Sequence, residues 1–282
     1  MPENKLEAAA IPRLIYGTAW KEERTQGLTK QALAAGFRGI DTANQRKHYF
    51  EAAVGKAVQE LISAGTVERS QLFLQTKYTF QDGQDHRLPY DPKASIETQV
   101  RQSFESSLQH FATDYLDSFI LHGPTSRGAL SRLDIEAWRA IEGLASAGRV
   151  RFVGVSNFTA AQLQELLKLA HVRPKFVQNR CYARTGWDRE VRRACLENQV
   201  VYQGFSLLTA NRRELESAGV RKICARMGLG VPEVVFRFAV QVGMLPLTGT
   251  SDGQHMRADL RAVEASAPEL EAAELTVIEG LA

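Results

Sequence analysis

AGRVRFVGVSNF, residues 147–158, followed by TAAQLQELLKL at 159–169, lays out one structural unit from end to end. Gly148 stands where a helix stops and a strand begins. RFVGVS is a short apolar run, and it closes on the polar pair Ser156–Asn157 before a stretch of helical period takes over. The same grammar recurs along the chain. GFRGI precedes Asp41, LFLQT precedes Lys77, YLDSFIL precedes His122 and KFV precedes Gln178. In a closed parallel barrel all C-terminal strand ends open at one mouth, so polar residues far apart in sequence would converge on one pocket.

The apolar runs predict eight strands: Leu14–Gly17, Arg38–Ile40, Leu72–Gln75, Leu116–Leu121, Arg151–Val155, Lys175–Val177, Val200–Gly204 and Met244–Leu247. Between them lie amphipathic helices. Val100, Phe104 and Leu108 share one face, as do Trp138, Ile141 and Leu144. Pro232 opens the PEVVFRFAV stretch, where a missing N–H costs little. Strands alternating with helices call for a parallel sheet. The chain has no Gly/Ser-rich linker, and 282 residues is near the usual length for one α/β barrel. The expectation is a single-domain (β/α)8 TIM barrel over residues 1–282.

Composition excludes several function classes. A net charge of +3 is too small for a nucleic-acid footprint, and the densest basic stretch, Arg189 to Arg193, is broken by Glu190. Cys181, Cys195 and Cys224 lack metal-type spacing; an odd, sparse set fits a reducing compartment and suggests neither a disulfide framework nor a metal site. The amino-terminal MPENKLEAAAIP has no apolar core of a signal peptide, and no run reaches membrane-spanning length. A soluble cytoplasmic protein is the default expectation. No heptad seam indicates an oligomeric state.

The longest stretch outside the strand–helix rhythm is YTFQDGQDHRLPYDPK, residues 78–93. Long loops on the active face shape pockets. Its aromatics, Tyr78, Phe80 and Tyr90, favour a pocket wall over a mobile surface loop.

Taken together, GFRGIDTA, LFLQTK, YLDSFILHGP, GRVRFVGVSNF and VQN resemble, in order, the active-site segments of the aldo-keto reductase superfamily. The match runs from GTAW at 17–20 to the C-terminus. The resemblance implies a barrel that binds an extended nicotinamide dinucleotide without a Gly-rich Rossmann turn, and no GxGxxG is present. It implies NADP(H)- or NAD(H)-dependent reduction of a small-molecule carbonyl to an alcohol. Hydride delivery builds negative charge on oxygen, which then takes a proton. A Tyr gives that proton more readily if a nearby cation draws its pKa below about 10. Lys77 is the expected cation, Asp41 its partner, and His122 the residue that orients the substrate oxygen. The family commonly places the Tyr five residues after its Asp, but here that position is Arg46. The loop reads DTANQRKHYFEAAVGKA, and its Tyr, Tyr49, is assigned as proton donor, as in a divergent branch with a His-Tyr pair. The other reading packs Tyr49 under the rim and leaves protonation to His48 or a water.

For the cofactor, the resemblance implies that Ser156, Asn157 and Gln178 bind the carboxamide, whose edge an amide complements. Asn157 could equally cap the following helix. Phe205 falls where a Tyr often stacks on the nicotinamide ring, beside Ser206 and Leu207, with Gly17 and Thr18 across the mouth. Gly249 and Thr250 occupy positions where the family often has a Lys-Ser pair for a 2′-phosphate, and His255 falls near a later Arg. Backbone amides of Gly249 to Ser251, with Arg257, are the expected phosphate contacts. Trp20, Tyr78 and Trp187 are the expected substrate contacts. The last residues leave no long closing loop, which implies an open pocket and broad substrate tolerance. Two other functions remain open here: a redox-sensing or regulatory subunit with little turnover, and a Schiff-base aldolase using Lys77.

Overall fold

The computed structural model describes residues 11–281. The reading of the amino-terminal stretch therefore falls almost entirely outside the described residues. Eight parallel strands close into one barrel in sequence order: β1 Ile15–Gly17, β2 Gly39–Asp41, β3 Phe73–Tyr78, β4 Leu116–Leu121, β5 Val150–Ser156, β6 Phe176–Arg180, β7 Val201–Phe205 and β8 Met244–Thr248, which pairs with β1. The helices are α1 Thr25–Ala35, α2 Glu51–Ser63, α3 Ile96–Phe111, α4 Arg132–Ser146, α5 Ala160–Leu169, α6 Arg189–Glu197, α7 Arg212–Leu215, α8 Ala218–Met227, α9 Val231–Gln241, α10 Gly253–Ala262 and α11 Ala272–Glu279. This is the expected (β/α)8 barrel.

Strand alternation sorts the side chains. On β3, Phe73, Gln75 and Lys77 point into the barrel, while Leu74, Thr76 and Tyr78 face the helices. Ile15, Phe73, Ile120, Phe176, Leu245 and Leu247 fill the barrel floor as one apolar cluster. Above that floor the interior turns polar. The helix faces read from the sequence are buried: Val100, Phe104 and Leu108 on α3, Trp138, Ile141 and Leu144 on α4. Gly148 takes a left-handed φ of 68° between α4 and β5, as its place in the sequence suggested. Gly55 lets α2 lie against the end of α3, where a Cβ would come within 1.9 Å of the His110 carbonyl oxygen.

Several strands extend past their predicted ends. Asp41, Lys77, Ser156 and Gln178 lie within β2, β3, β5 and β6, not after them. Polar residues of low strand propensity end an apolar run on paper. In the barrel they continue the ladder, because the closed sheet satisfies the backbone whatever the side chain.

Candidate active site at the barrel mouth

A cavity of about 340 Å³ opens at the C-terminal mouth. Asp41, Tyr49, His122, Ser156 and Gln178 line one side of it. Gly17, Trp20, Lys21, Phe205, Ser206, Leu207, Gly249 and Thr250 are also in its wall.

Lys77 lies just beneath, fully buried. Its ammonium donates to Asp41 Oδ1 and Oδ2 at 2.7 Å each and to the Thr42 carbonyl at 2.7 Å. These bonds use all three of its protons. Burial pulls the Lys77 pKa down, and the adjoining Asp41 carboxylate opposes that. Asp41 Oδ1 also accepts from Gln75 Nε2 (2.8 Å) and Gln178 Nε2 (2.9 Å). Gln75 and Gln203 pair through both amide edges, at 2.8 and 3.0 Å, and Gln178 Nε2 donates a second bond to Gln203 Oε1 at 3.0 Å. A carboxylate only accepts, so these bonds settle which way each amide faces.

Tyr49 sits just ahead of α2. Its ring packs edge-on to His122, with centroids 5.9 Å apart, and the Lys77 Nζ lies 5.2 Å from the ring centre. The expected pull of Lys77 on the phenol is not what this geometry produces. Burial, reinforced by the Asp41 charge, pushes the Tyr49 pKa up. The Lys77 ammonium is paired with the Asp41 carboxylate at 2.7 Å, so the two together present little net positive charge to the phenol. Arg46, five residues after Asp41, points outward instead: its guanidinium stacks on Phe50 at 4.0 Å and lies 3.4 Å from Glu22. His48 stacks on Trp20, with centroids 4.1 Å apart, and is not among the cavity-lining residues.

His122 Nδ1 is hydrogen-bonded to Thr79 Oγ1 at 2.6 Å. Burial, and then the nearby Lys77 and His48, lower its pKa to about 3, so the imidazole is neutral near pH 7. The 78–93 loop acts on this residue from behind. Tyr90 donates to the Thr79 carbonyl at 2.8 Å, and the Tyr78 ring packs against Phe80 and Tyr90. The loop aromatics form a small core that fixes Thr79, and none of them lines the cavity.

Three of the expected contacts lie elsewhere. Tyr78 follows Lys77 on β3, so it faces outward; its hydroxyl donates to Gln99 on α3 at 3.2 Å. Trp187 is buried against Phe238, and its indole N–H donates to the Ile278 carbonyl of α11 at 2.7 Å. Arg257 is exposed and lines a separate groove, with Arg13, Arg38 and Arg261, at the N-terminal side of the barrel. Met256 and Asp259 take the buried face of α10, which turns Arg257 away from the mouth.

Four more expected cofactor contacts stand outside the cavity wall. Thr18 donates to the Asp41 carbonyl (2.9 Å) and is buried. Asn157, with φ 60°, spends its amide protons on the His122 carbonyl (2.8 Å) and Ser156 Oγ (3.1 Å). The α5 cap is Thr159, not Asn157. Ser251 and His255 are exposed. Asp252 caps α10, and its carboxylate accepts from the Gln254 and His255 amides, so the donors at that helix start are already occupied by an anion.

Five residues near the site were not singled out from the sequence. Lys21 is buried in the cavity wall and donates to the Gly249 carbonyl at 2.5 Å. Gln75, Gln203 and Thr79 brace Asp41, Gln178 and His122. Glu51, buried at the start of α2, bonds Thr76, Ser107 and His110, and its charge acts on Lys77. A polar residue inside an apolar run was the available signal for Gln75.

The aldo/keto reductase family model matches residues 13–279. A glyoxal reductase of Bacillus subtilis is 30% identical over 218 residues, covering 77% of this chain and 70% of that protein. An NADPH-dependent alpha-keto amide reductase of Saccharomyces cerevisiae is 26% identical over 279 residues, covering 90% and 81%. The solved structure of an aldo/keto reductase from Brucella melitensis is similar at a TM-score of 0.79 and 25% identity, covering 96% of this chain and 94% of that one. A family match across nearly the whole chain, on a barrel with this mouth, establishes that the protein belongs to the aldo/keto reductase family.

Proposed function

We propose that the protein is an NADP(H)-dependent carbonyl reductase that interconverts small aldehydes or ketones and alcohols, with Tyr49 as proton donor. One observation carries the reading: Tyr49 and His122 stand side by side in the wall of a cavity that Gln178 also lines.

The donor set fits a nicotinamide group. Gln178 gives both amide protons to Asp41 and Gln203, which leaves its Oε1 as an acceptor for a carboxamide N–H. Ser156 and Phe205 flank the same space, and Lys21 supplies positive charge beside Gly249 and Thr250. The bound cofactor supplies a hydride. The relatives include an NADPH-dependent reductase, and that favours NADP(H) over NAD(H).

The chain's own groups do the rest. We assign Thr79 Oγ1 as the donor to His122 Nδ1, which places the ring's proton on Nε2, where it meets the substrate oxygen. The neutral imidazole orients that oxygen without competing to protonate it. Tyr49, its pKa held high, carries its proton throughout the working range and yields it only to the stronger base, a developing alkoxide. Lys77 and Asp41 form the charged floor beneath.

The bonding of Lys77 favours a second reading, a cofactor-holding regulatory protein with little turnover, because no Lys77 proton is left for the phenol oxygen. An aldolase is disfavoured by the same bonds, which hold the amine as a paired ammonium. A single-turnover absorbance trace separates the readings. Protein in excess over NADPH is mixed with a reactive aromatic aldehyde, for wild type and Tyr49→Phe. NADPH loss in wild type alone supports the reductase. Fluorescence showing bound NADPH with no consumption refutes it in favour of the regulatory reading.

A further inference from the structure

Two primary amides lie where barrels of this kind usually hold branched apolar residues. Gln75 on β3 and Gln203 on β7 are both fully buried, directly above the floor that includes Phe73, Phe176 and Leu245. Neither lines the cavity, so neither meets substrate. Burying an amide in such a place is costly unless its hydrogen bonds are made. Here they are made to each other and to two residues of the site. Gln75 is in register with Asp41 across β2 and β3, and Gln178 with Gln203 across β6 and β7. The pair therefore bridges opposite sides of the barrel.

We propose that the Gln75–Gln203 pair is a positioning device: it ties Asp41 and Gln178 into one network, so that Gln178 presents an acceptor and no donor to the nicotinamide carboxamide. The pair contacts neither cofactor nor substrate and acts through those two residues. Consider Gln178 flipped about its amide axis. Its oxygen would then face Asp41 Oδ1 and Gln203 Oε1, two acceptors at hydrogen-bond distance. The flipped state loses two bonds and gains a repulsion, so the acceptor stays towards the cavity. Gln203 Oε1 holds that orientation directly. Gln75 holds Gln203 in turn, because it donates to Gln203 Oε1 and accepts from Gln203 Nε2. The same Gln75 amide donates to Asp41, so the orientation of the carboxamide site and the seating of the Lys77 counter-ion share one set of bonds.

This inference rests on the reading of the cavity as a nicotinamide site, and its test separates the two. The probes are NADP+ and its 3-acetylpyridine analogue, in which a methyl ketone replaces the carboxamide and no N–H remains. Dissociation constants are measured by quenching of protein fluorescence. An acceptor without its donor costs wild type about tenfold in affinity for the analogue. In Gln75→Met/Gln203→Met, which keeps roughly the buried volume, Gln178 keeps only its bond to Asp41, the flipped amide is opposed by one acceptor in place of two, and the ratio of the two constants falls below that of wild type. A packing role alone lowers the melting temperature and weakens both ligands equally, leaving the ratio unchanged; that result overturns the proposal. Gln203→Met alone serves where the double variant does not fold, with the same two outcomes. A wild-type ratio near one also overturns the proposal. Wild-type protein that binds neither ligand refutes the functional reading itself, a distinguishable result.

Discussion

Asp41→Asn replaces the carboxylate that neutralises a fully buried ammonium. Asn can still accept at Oδ1 from Gln75 and Gln178, so the amide network above the barrel floor retains its acceptor. Its Nδ2 would instead point N–H groups at Lys77 Nζ, which now has 2.7 Å contacts to both Asp41 oxygens. Removing one partner of a buried ion pair typically costs 3–5 kcal/mol, because the remaining charge is uncompensated. Lys77→Met leaves a different residue behind. Asp41 keeps two amide donors, so this variant loses about 3 kcal/mol, the low end of the same range. With both changes made there is no stranded charge, and the double variant loses only about 1–3 kcal/mol. The double variant is therefore more stable than Asp41→Asn alone, and the two single losses together exceed it by about 5 kcal/mol. Equilibrium urea unfolding of all four proteins measures the cycle, and thermal scans show Asp41→Asn melting roughly 6–10 °C below wild type, at about 2 °C per kcal/mol for a chain of this size. Singles that add up to the double would refute the claim that the two side chains act as one unit.

Three further outcomes follow from the geometry. The His122 pKa is lowered from 6.5 to about 3, so the unfolded chain takes a proton that the native protein refuses; its contribution is complete above pH 6.5 and is lost at about 1.4 kcal/mol per pH unit as pH falls from there towards 3. Urea midpoints between pH 4 and 7 should therefore fall less steeply for His122→Asn than for wild type. Gly55→Ala puts a Cβ 1.9 Å from the His110 carbonyl and should cost about 3 kcal/mol; Gly27→Ala in α1, with nothing within 4 Å, should gain about 0.5–1 kcal/mol, and equal thermal shifts would contradict the close packing of α2 on α3. Lys21→Met removes a buried cation from the cavity wall, so affinity for NADPH should drop about tenfold at low salt, and less as salt is raised; an affinity unchanged in calorimetry would remove Lys21 from the cofactor site.

The barrel was legible because its strands are buried on both faces and so read as unbroken apolar runs, with glycines marking the returns from helix to strand. Strand ends were less legible, because Asp41, Lys77 and Gln178 are polar and yet sit inside the ladder. Tyr78 was a failure of parity. If Lys77 points in, the next residue points out, and that rule was available in the sequence. Arg257 was a failure of helical phase, since Met256 and Asp259 mark the buried face of α10. Trp187 was illegible for a different reason. Its indole partner, the Ile278 carbonyl, is 91 residues away on the last helix, and nothing local signals that contact. The Gln75–Gln203 bond spans 128 residues and is equally silent, although a Gln inside LFLQT is itself an anomaly.

The proton-donor loop shows why spacing is a weaker guide than anchoring. Counting residues from Asp41 leads to Arg46, whose charge cannot enter the pocket without losing its water and its acidic neighbours Glu22 and Glu23. The loop instead is pinned at two earlier points. Asn44 donates to the Ser103 carbonyl and to Ser107 on α3, and Gln45 donates to the Gly83 carbonyl in the 78–93 loop. Gln84 closes the clasp by donating to the Asn44 carbonyl at 3.0 Å. With 44 and 45 fixed, one turn of chain carries residues 46–48 over the rim, and the backbone amide of Tyr49 returns to the Gln45 carbonyl at 3.0 Å. Glu51 then locks the start of α2 to Ser107, the same residue that holds Asn44. The extra residues are thus spent outside the pocket, and the first aromatic to come back inside is Tyr49, edge-on to His122. What places the phenol is the pair of polar anchors on either side of it.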